Sequence, residues 1–100
     1  MNFADGHKSS DAALIGEIAL GRQSALKQLM GRYMTMAFRT SYRILCDLND
    51  SEEVTQKVFL HVWKNASRYD FQYSVSIWIY RILVRLCHER LRKRRLMDLF

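Results

Sequence analysis

Apolar residues fall into four periodic stretches separated by polar or glycine-containing breaks. Leu14, Ile15, Ile18 and Ala19 share one helical face, which predicts a short helix N-capped by Asp11, running to about Leu20 and ended by Gly21. Leu26, Leu29, Met30, Tyr33, Ala37, Ser41 and Ile44 recur at three- and four-residue steps and predict a longer helix from about Ser24. Residues 47–50 read as a turn. The sequence Asp50-Ser-Glu-Glu53 resembles a capping box with Asp in place of Ser or Thr, and opens a third helix to about Ala66. Val54, Val58 and Val62 face inward along it, with Trp63 beside them. Residues 67–74 form a loop crowded with Tyr69, Phe71 and Tyr73. A fourth helix is expected from near Val75 to about Arg95, with Trp78, Ile82, Leu86 and Leu91 as its apolar stripe, and both tryptophans largely buried. The expected architecture is all-α: a compact bundle of three main helices with a short leading helix. Residues 1–10 are expected to be a flexible N-terminus, 11–95 one domain, and 96–100 the start of a linker or tail.

Composition narrows the class. Of 100 residues, 49% are hydrophobic, enough for one core and too many for a disordered tail. The absence of proline and only 4 glycines disfavour a turn-rich β fold. Two cysteines without an export signal give no disulfide framework, and no apolar run reaches the roughly 20 residues of a membrane span. The expectation is a cytoplasmic, soluble chain with no membrane insertion.

Catalytic constellations are missing from the pattern. Cys46 and Cys87 lie far apart, and His61 stands alone. Cys87 and His88 are adjacent on a helix and diverge by about 100°, so Cys87 reads as core and His88 as surface. No glycine-rich phosphate loop occurs. No enzymatic activity, metal or cofactor is expected.

Charge is where the sequence becomes specific. Residues 81–95 carry seven basic residues against one acid, Glu89; that is the whole +6 of the chain, and the nine basic and nine acidic residues elsewhere cancel. Arg81, Arg85, His88, Arg92 and Arg95 step by four and three, which makes a cationic ridge nearly free of acids. Phosphate is the partner such arginines suit, a merely solvated face being the alternative. The loop before the ridge offers Gln72, Tyr73, Ser74 and Ser76. Rings and small hydroxyls there suit unstacked bases. Tyr69 and Phe71 are expected to plug the end of the bundle instead, with Tyr73 open to either use. On the third helix, Glu52, Glu53, Gln56 and Phe59 lie away from the valines and suit a protein contact; the alternative is a solvated helix with Phe59 partly buried.

The string Asp50-Ser-Glu-Glu-Val-Thr-Gln-Lys-Val-Phe-Leu-His-Val-Trp63, then the loop, then Trp78-Ile-Tyr-Arg-Ile82, resembles conserved region 2 of bacterial RNA polymerase sigma factors, closest to the extracytoplasmic-function (ECF) group. The resemblance implies a role for each surface. Positions matching Glu53, Gln56 and Phe59 dock on the β′ subunit of core RNA polymerase. The loop from Gln72 to Ser76 and the face of Arg81 and Arg85 match the surface that melts and reads the −10 promoter element, trapping bases of the non-template strand. His88 and Arg92 extend that face toward phosphates. An anti-sigma factor is a further implied partner. Four departures stand out. Lys57 replaces the usual acid, so one acidic polymerase contact is missing. Val75 replaces a common phenylalanine, and Arg85 replaces the usual asparagine, which favours phosphate or guanine. The region 4 domain that follows in ECF factors is absent from these 100 residues, so an excised domain or an incomplete sigma factor is expected. Two other readings stay open on the residues alone: a generic basic helical nucleic-acid-binding domain, and a module docking on an acidic protein or membrane surface. Only the sigma reading uses the Glu53/Gln56/Phe59 surface.

Overall fold

Ser10, not Asp11, caps the first helix: its Oγ accepts the Ala13 N–H at 3.0 Å. In this computed structural model, which describes residues 9–100, helix α1 spans Asp11–Ala19, α2 Gln23–Leu45, α3 Leu48–Asn65 and α4 Val75–Asp98, with a single 3₁₀ turn at Ala66–Arg68 before the loop. The all-α bundle with a short leading helix is therefore the observed fold, and most of the N-terminal segment expected to be flexible lies outside the described residues. Gly21, at φ +85°, makes the turn between α1 and α2, a conformation that costs a residue with a side chain more than it costs glycine. Asp11, displaced into the first turn of α1, accepts from Arg32 Nη1 at 2.7 Å and from the Tyr33 hydroxyl, so it ties α1 to α2. Burial, reinforced by that carboxylate, pushes the Tyr33 hydroxyl up to about 12.

The start of α3 also differs from the expected one. Asp47 is the N-cap, accepting the Asp50 N–H at 2.8 Å, and the helix begins at Leu48. Asp50 is thereby released from capping. It faces α4 instead, accepting Arg90 Nη1 at 2.7 Å on one oxygen, and Arg94 Nη2 at 2.7 Å and Nε at 3.1 Å on the other. Arg90 also donates to Glu53. Two arginines of the basic segment thus serve structure, clamping the distal half of α4 to the first turn of α3.

The core is filled by Leu14, Ile15, Leu29, Ala37, Val58, Val62, Ile79 and Leu83. The valine stripe of α3 sits inside as expected. On α4 the buried stripe is Val75, Ile79, Ile82, Leu83 and Cys87, rotated from the expected one, so Trp78, Leu86 and Leu91 lie at its edge. Trp63 and Trp78 are half-buried, not enclosed. Helices that approach closely through Ala25, Ala37 and the valines leave no room for an indole between them. α4 continues three residues past Arg95, to Asp98. Among the described residues, no helix is long and apolar enough to cross a membrane.

Candidate nucleic-acid interface

The loop ahead of α4 is braced from within. Tyr69 is buried; its hydroxyl donates to the Tyr73 carbonyl, and its ring lies 5.1 Å from Trp78 and 5.0 Å edge-on from Phe71. Asp70 Oδ1 accepts the Gln72 N–H at 2.9 Å, and the Tyr73 N–H donates to the Asp70 carbonyl at 3.1 Å, so the turn is hydrogen-bonded on both sides. Tyr69 plugs the bundle end as expected. Phe71 does not: it is 67% exposed and touches the bundle through the edge of Tyr69. A ring in a loop this short cannot reach the interior once Tyr69 fills the entrance.

Gln72, Tyr73, Ser74 and Ser76 are all exposed. Ser74 caps α4, its Oγ accepting the Ile77 N–H at 3.2 Å, with the Ser76 hydroxyl 3.2 Å away. Tyr73 is 51% exposed, and the Arg81 guanidinium lies 5.6 Å from its ring centroid. Tyr73, Ile77, Trp78 and Arg81 surround a hollow of about 120 Å³ with Tyr69 at its back. Two half-exposed side chains carry no expectation from the sequence: Ile77, which lines this hollow, and Tyr80, three residues farther along α4. Their signal was available: each sits off the stripe of Ile79, Ile82 and Leu83.

The cationic ridge holds together: Arg81, Arg85, His88, Arg92 and Arg95 are all exposed on α4. Arg85 is nonetheless engaged, 3.7 Å from Glu89 and 3.4 Å from His61 Nδ1 on α3. Burial and the neighbouring Arg85 charge both hold His61 below the usual imidazole range, so it is neutral beside that guanidinium. Burial pushes the Cys87 thiol up, in keeping with a core position. Among the described residues, no group of three His, Cys, Asp or Glu side chains could hold a metal ion.

The surface expected on α3 is divided. Phe59 is 2% exposed and belongs to the core, because α3 is covered by α2 on one side and α4 on the other. Glu53 turns to the α4 side, where Lys57 at 3.0 Å, with Arg90 behind it, holds its carboxyl below the usual carboxylate range. Gln56 opens on the α2 side. It lines two neighbouring grooves between α2 and α3, one with Met34, Phe38 and Glu52, the other with Leu26, Met30 and the half-exposed Leu60. Glu53, Gln56 and Phe59 therefore do not form one exposed patch.

The family model for Sigma-70 region 2 matches residues 29–96. The chain belongs to the sigma-70 region 2 family. The ECF RNA polymerase sigma factor SigW of Bacillus subtilis (strain 168) is 27% identical over 81 residues, covering 81% of this chain and 43% of its own. SigM of Mycobacterium tuberculosis (strain ATCC 25618 / H37Rv) is 28% identical over 93 residues, covering 93% and 47%. SigK of Mycobacterium ulcerans (strain Agy99) is 33% identical over 93 residues, covering 92% and 50%. These are ECF sigma factors, in line with the resemblance of the two motifs, and the chain spans about half the length of the curated relatives it matches. A region 2 domain is a binding module, not an enzyme. The matched span takes in most of α2, all of α3, the loop and nearly all of α4.

Proposed function

We propose that this region 2 chain docks on core RNA polymerase and opens the −10 promoter element by holding unpaired non-template bases, with an anti-sigma factor as a competing partner. Its work is done by binding energy: contacts available only to unstacked bases offset the cost of unstacking them. The observation that carries the reading is the juxtaposition of a braced loop with a cationic helix. Tyr73 presents a ring face beside the hollow, Arg81 lies over it, and Gln72 and Ser76 are exposed polar residues of the same loop and the first turn of α4. Ser74 contributes as the cap that aims α4 at the loop. Arg81, Arg85, His88 and Arg92 then contact phosphates beyond the hollow. For polymerase, the Gln56-lined grooves between α2 and α3 replace the patch read from the sequence. They combine apolar walls with an amide and an acid, Glu52, and they face away from the α4 side. Glu53 takes part in shaping α3, and Phe59 supports the grooves from beneath. The chain works inside the cell, where polymerase and promoters are.

The loop and the ridge are expected to separate in a binding assay with core polymerase present. Tyr73→Ala should weaken binding of single-stranded −10-like DNA by about 1–3 kcal/mol while duplex binding changes little. Arg92→Ala should weaken both substrates alike and reduce the salt slope on duplex by about 0.9. Loss of single-strand and duplex binding in equal proportion by both variants would remove the base-trapping role and leave a generic nucleic-acid-binding domain.

A further inference from the structure

Phe71 is not needed by the loop that carries it. The Tyr73 N–H donates to the Asp70 carbonyl at 3.1 Å, which makes residues 70–73 a β-turn with Phe71 and Gln72 at its corner. Turns favour Asp, Asn, Ser, Gly or Pro. Asp70 supplies that chemistry, its Oδ1 accepting the Gln72 N–H at 2.9 Å, and nothing in the turn asks for a ring at the corner. The Phe71 ring meets Tyr69 edge-on at 5.0 Å, and the residue is 67% exposed. Tyr69 is held without it, by its hydroxyl on the Tyr73 carbonyl and by its ring against Trp78. Phe71 also stands outside the hollow that Tyr73 and Arg81 border. Its ring is therefore a second aromatic surface, on a loop braced before any ligand arrives.

We infer that Phe71 is a second stacking platform, so that the loop holds two neighbouring unpaired bases of one strand, one on Tyr73 and one on Phe71. The inference rests on the base-holding reading proposed above and adds a nucleotide to it. Two residues of chain span at most about 7 Å, so the two rings are within reach of neighbouring nucleotides. Charge favours nucleic acid over a protein as the occupant. Arg68 and Arg81 both border the hollow, and neither has an ion pair among the described residues. The one acid of the loop, Asp70, is turned onto the Gln72 N–H. Exposed rings flanked by guanidiniums without carboxylate partners suit an anionic chain that carries flat bases: phosphates go to the arginines and π-faces to the rings. A stacking ring reads no base edge, so Phe71 adds affinity for the opened strand and leaves the choice of base at its position nearly free.

The test uses the chain with core polymerase and a −10-like single strand, made as a series in which one base at a time is replaced by an abasic sugar. Phe71→Ala should bind the intact strand about tenfold more weakly. It should also become indifferent to the missing base at one position, and Tyr73→Ala to the missing base at a neighbouring position, each staying sensitive to the other's. Phe71→Trp should keep the parent's affinity. Phe71→Leu, which keeps apolar bulk without a ring face, should behave like Phe71→Ala. The side chain is exposed, so all three should melt with the parent. If Tyr73→Ala couples to one position and Phe71→Ala to none, the second platform does not exist, although the base-holding reading stands. Parent-like binding by Phe71→Leu would make the contact merely apolar and overturn the inference, as would weaker binding of core polymerase itself by Phe71→Ala. If neither ring couples to any position of the strand, the base-holding reading and the inference fall together.

Discussion

Phe59→Ala is expected to cost about 3–5 kcal/mol of folding stability. The ring is 2% exposed, enclosed between α3 and its neighbours, and its loss leaves a cavity that close-packed helices cannot fully fill. For a chain of this length that is a large share of the total stability, so the variant should melt far below the parent or fail to fold. The distinction from an interface anchor is sharp. A surface phenylalanine would leave the melting temperature unchanged and lower only polymerase affinity. Thermal unfolding followed by circular dichroism decides the matter, and an unshifted melt would return Phe59 to the surface.

Asp50→Ala is the second large effect, at about 2–3 kcal/mol. Removing one member of a buried ion pair costs about 3–5 kcal/mol, because the remaining charge stays desolvated. Here the value is discounted: the Asp50 side chain is 20% exposed, and those of Arg90 and Arg94 are 15% and 34% exposed. The carboxylate serves both guanidiniums, so Asp50→Ala should destabilise more than Arg94→Ala alone. A cycle of Asp50→Ala with Arg90→Ala should return a coupling above about 1 kcal/mol. Unfolding curves that add without coupling would mean that the clamp between α3 and α4 contributes nothing.

These two residues also show where the sequence was legible. The valine stripe of α3 and the cationic ridge of α4 are local patterns, written at four- and three-residue steps, and both appear where periodicity puts them. Phe59 was misjudged because a stripe reports one buried face, whereas α3 is flanked on two sides and buries a wider arc. The caps were misplaced because polar residues are adjacent: Ser10 next to Asp11, and Asp47 one turn before Asp50, either of which can cap. The pairing of Asp50 with Arg90 and Arg94 joins residues 40 and 44 positions apart and has no local signature. On α4, apolar residues occur on nearly every side of the first three turns, so the stripe could be drawn through Trp78 or through Ile79. The choice fell to packing: a tryptophan settles at the edge against Tyr69, and isoleucine and leucine fill the interior. The loop residues of the candidate site were visible by type, but not their division of labour, since Tyr69 and Ser74 brace the loop while Tyr73 faces outward.

The central claim is that this chain joins core RNA polymerase through the α2/α3 side. It is tested most directly by titrating labelled chain with core polymerase, for the parent and for Gln56→Ala/Leu60→Ala. Both positions are exposed and should leave the melting temperature within a few degrees of the parent. The parent should bind saturably, and the double variant about tenfold or more weaker, as expected for loss of central contacts. No saturable binding by the folded parent, or equal binding by the variant, would contradict the account.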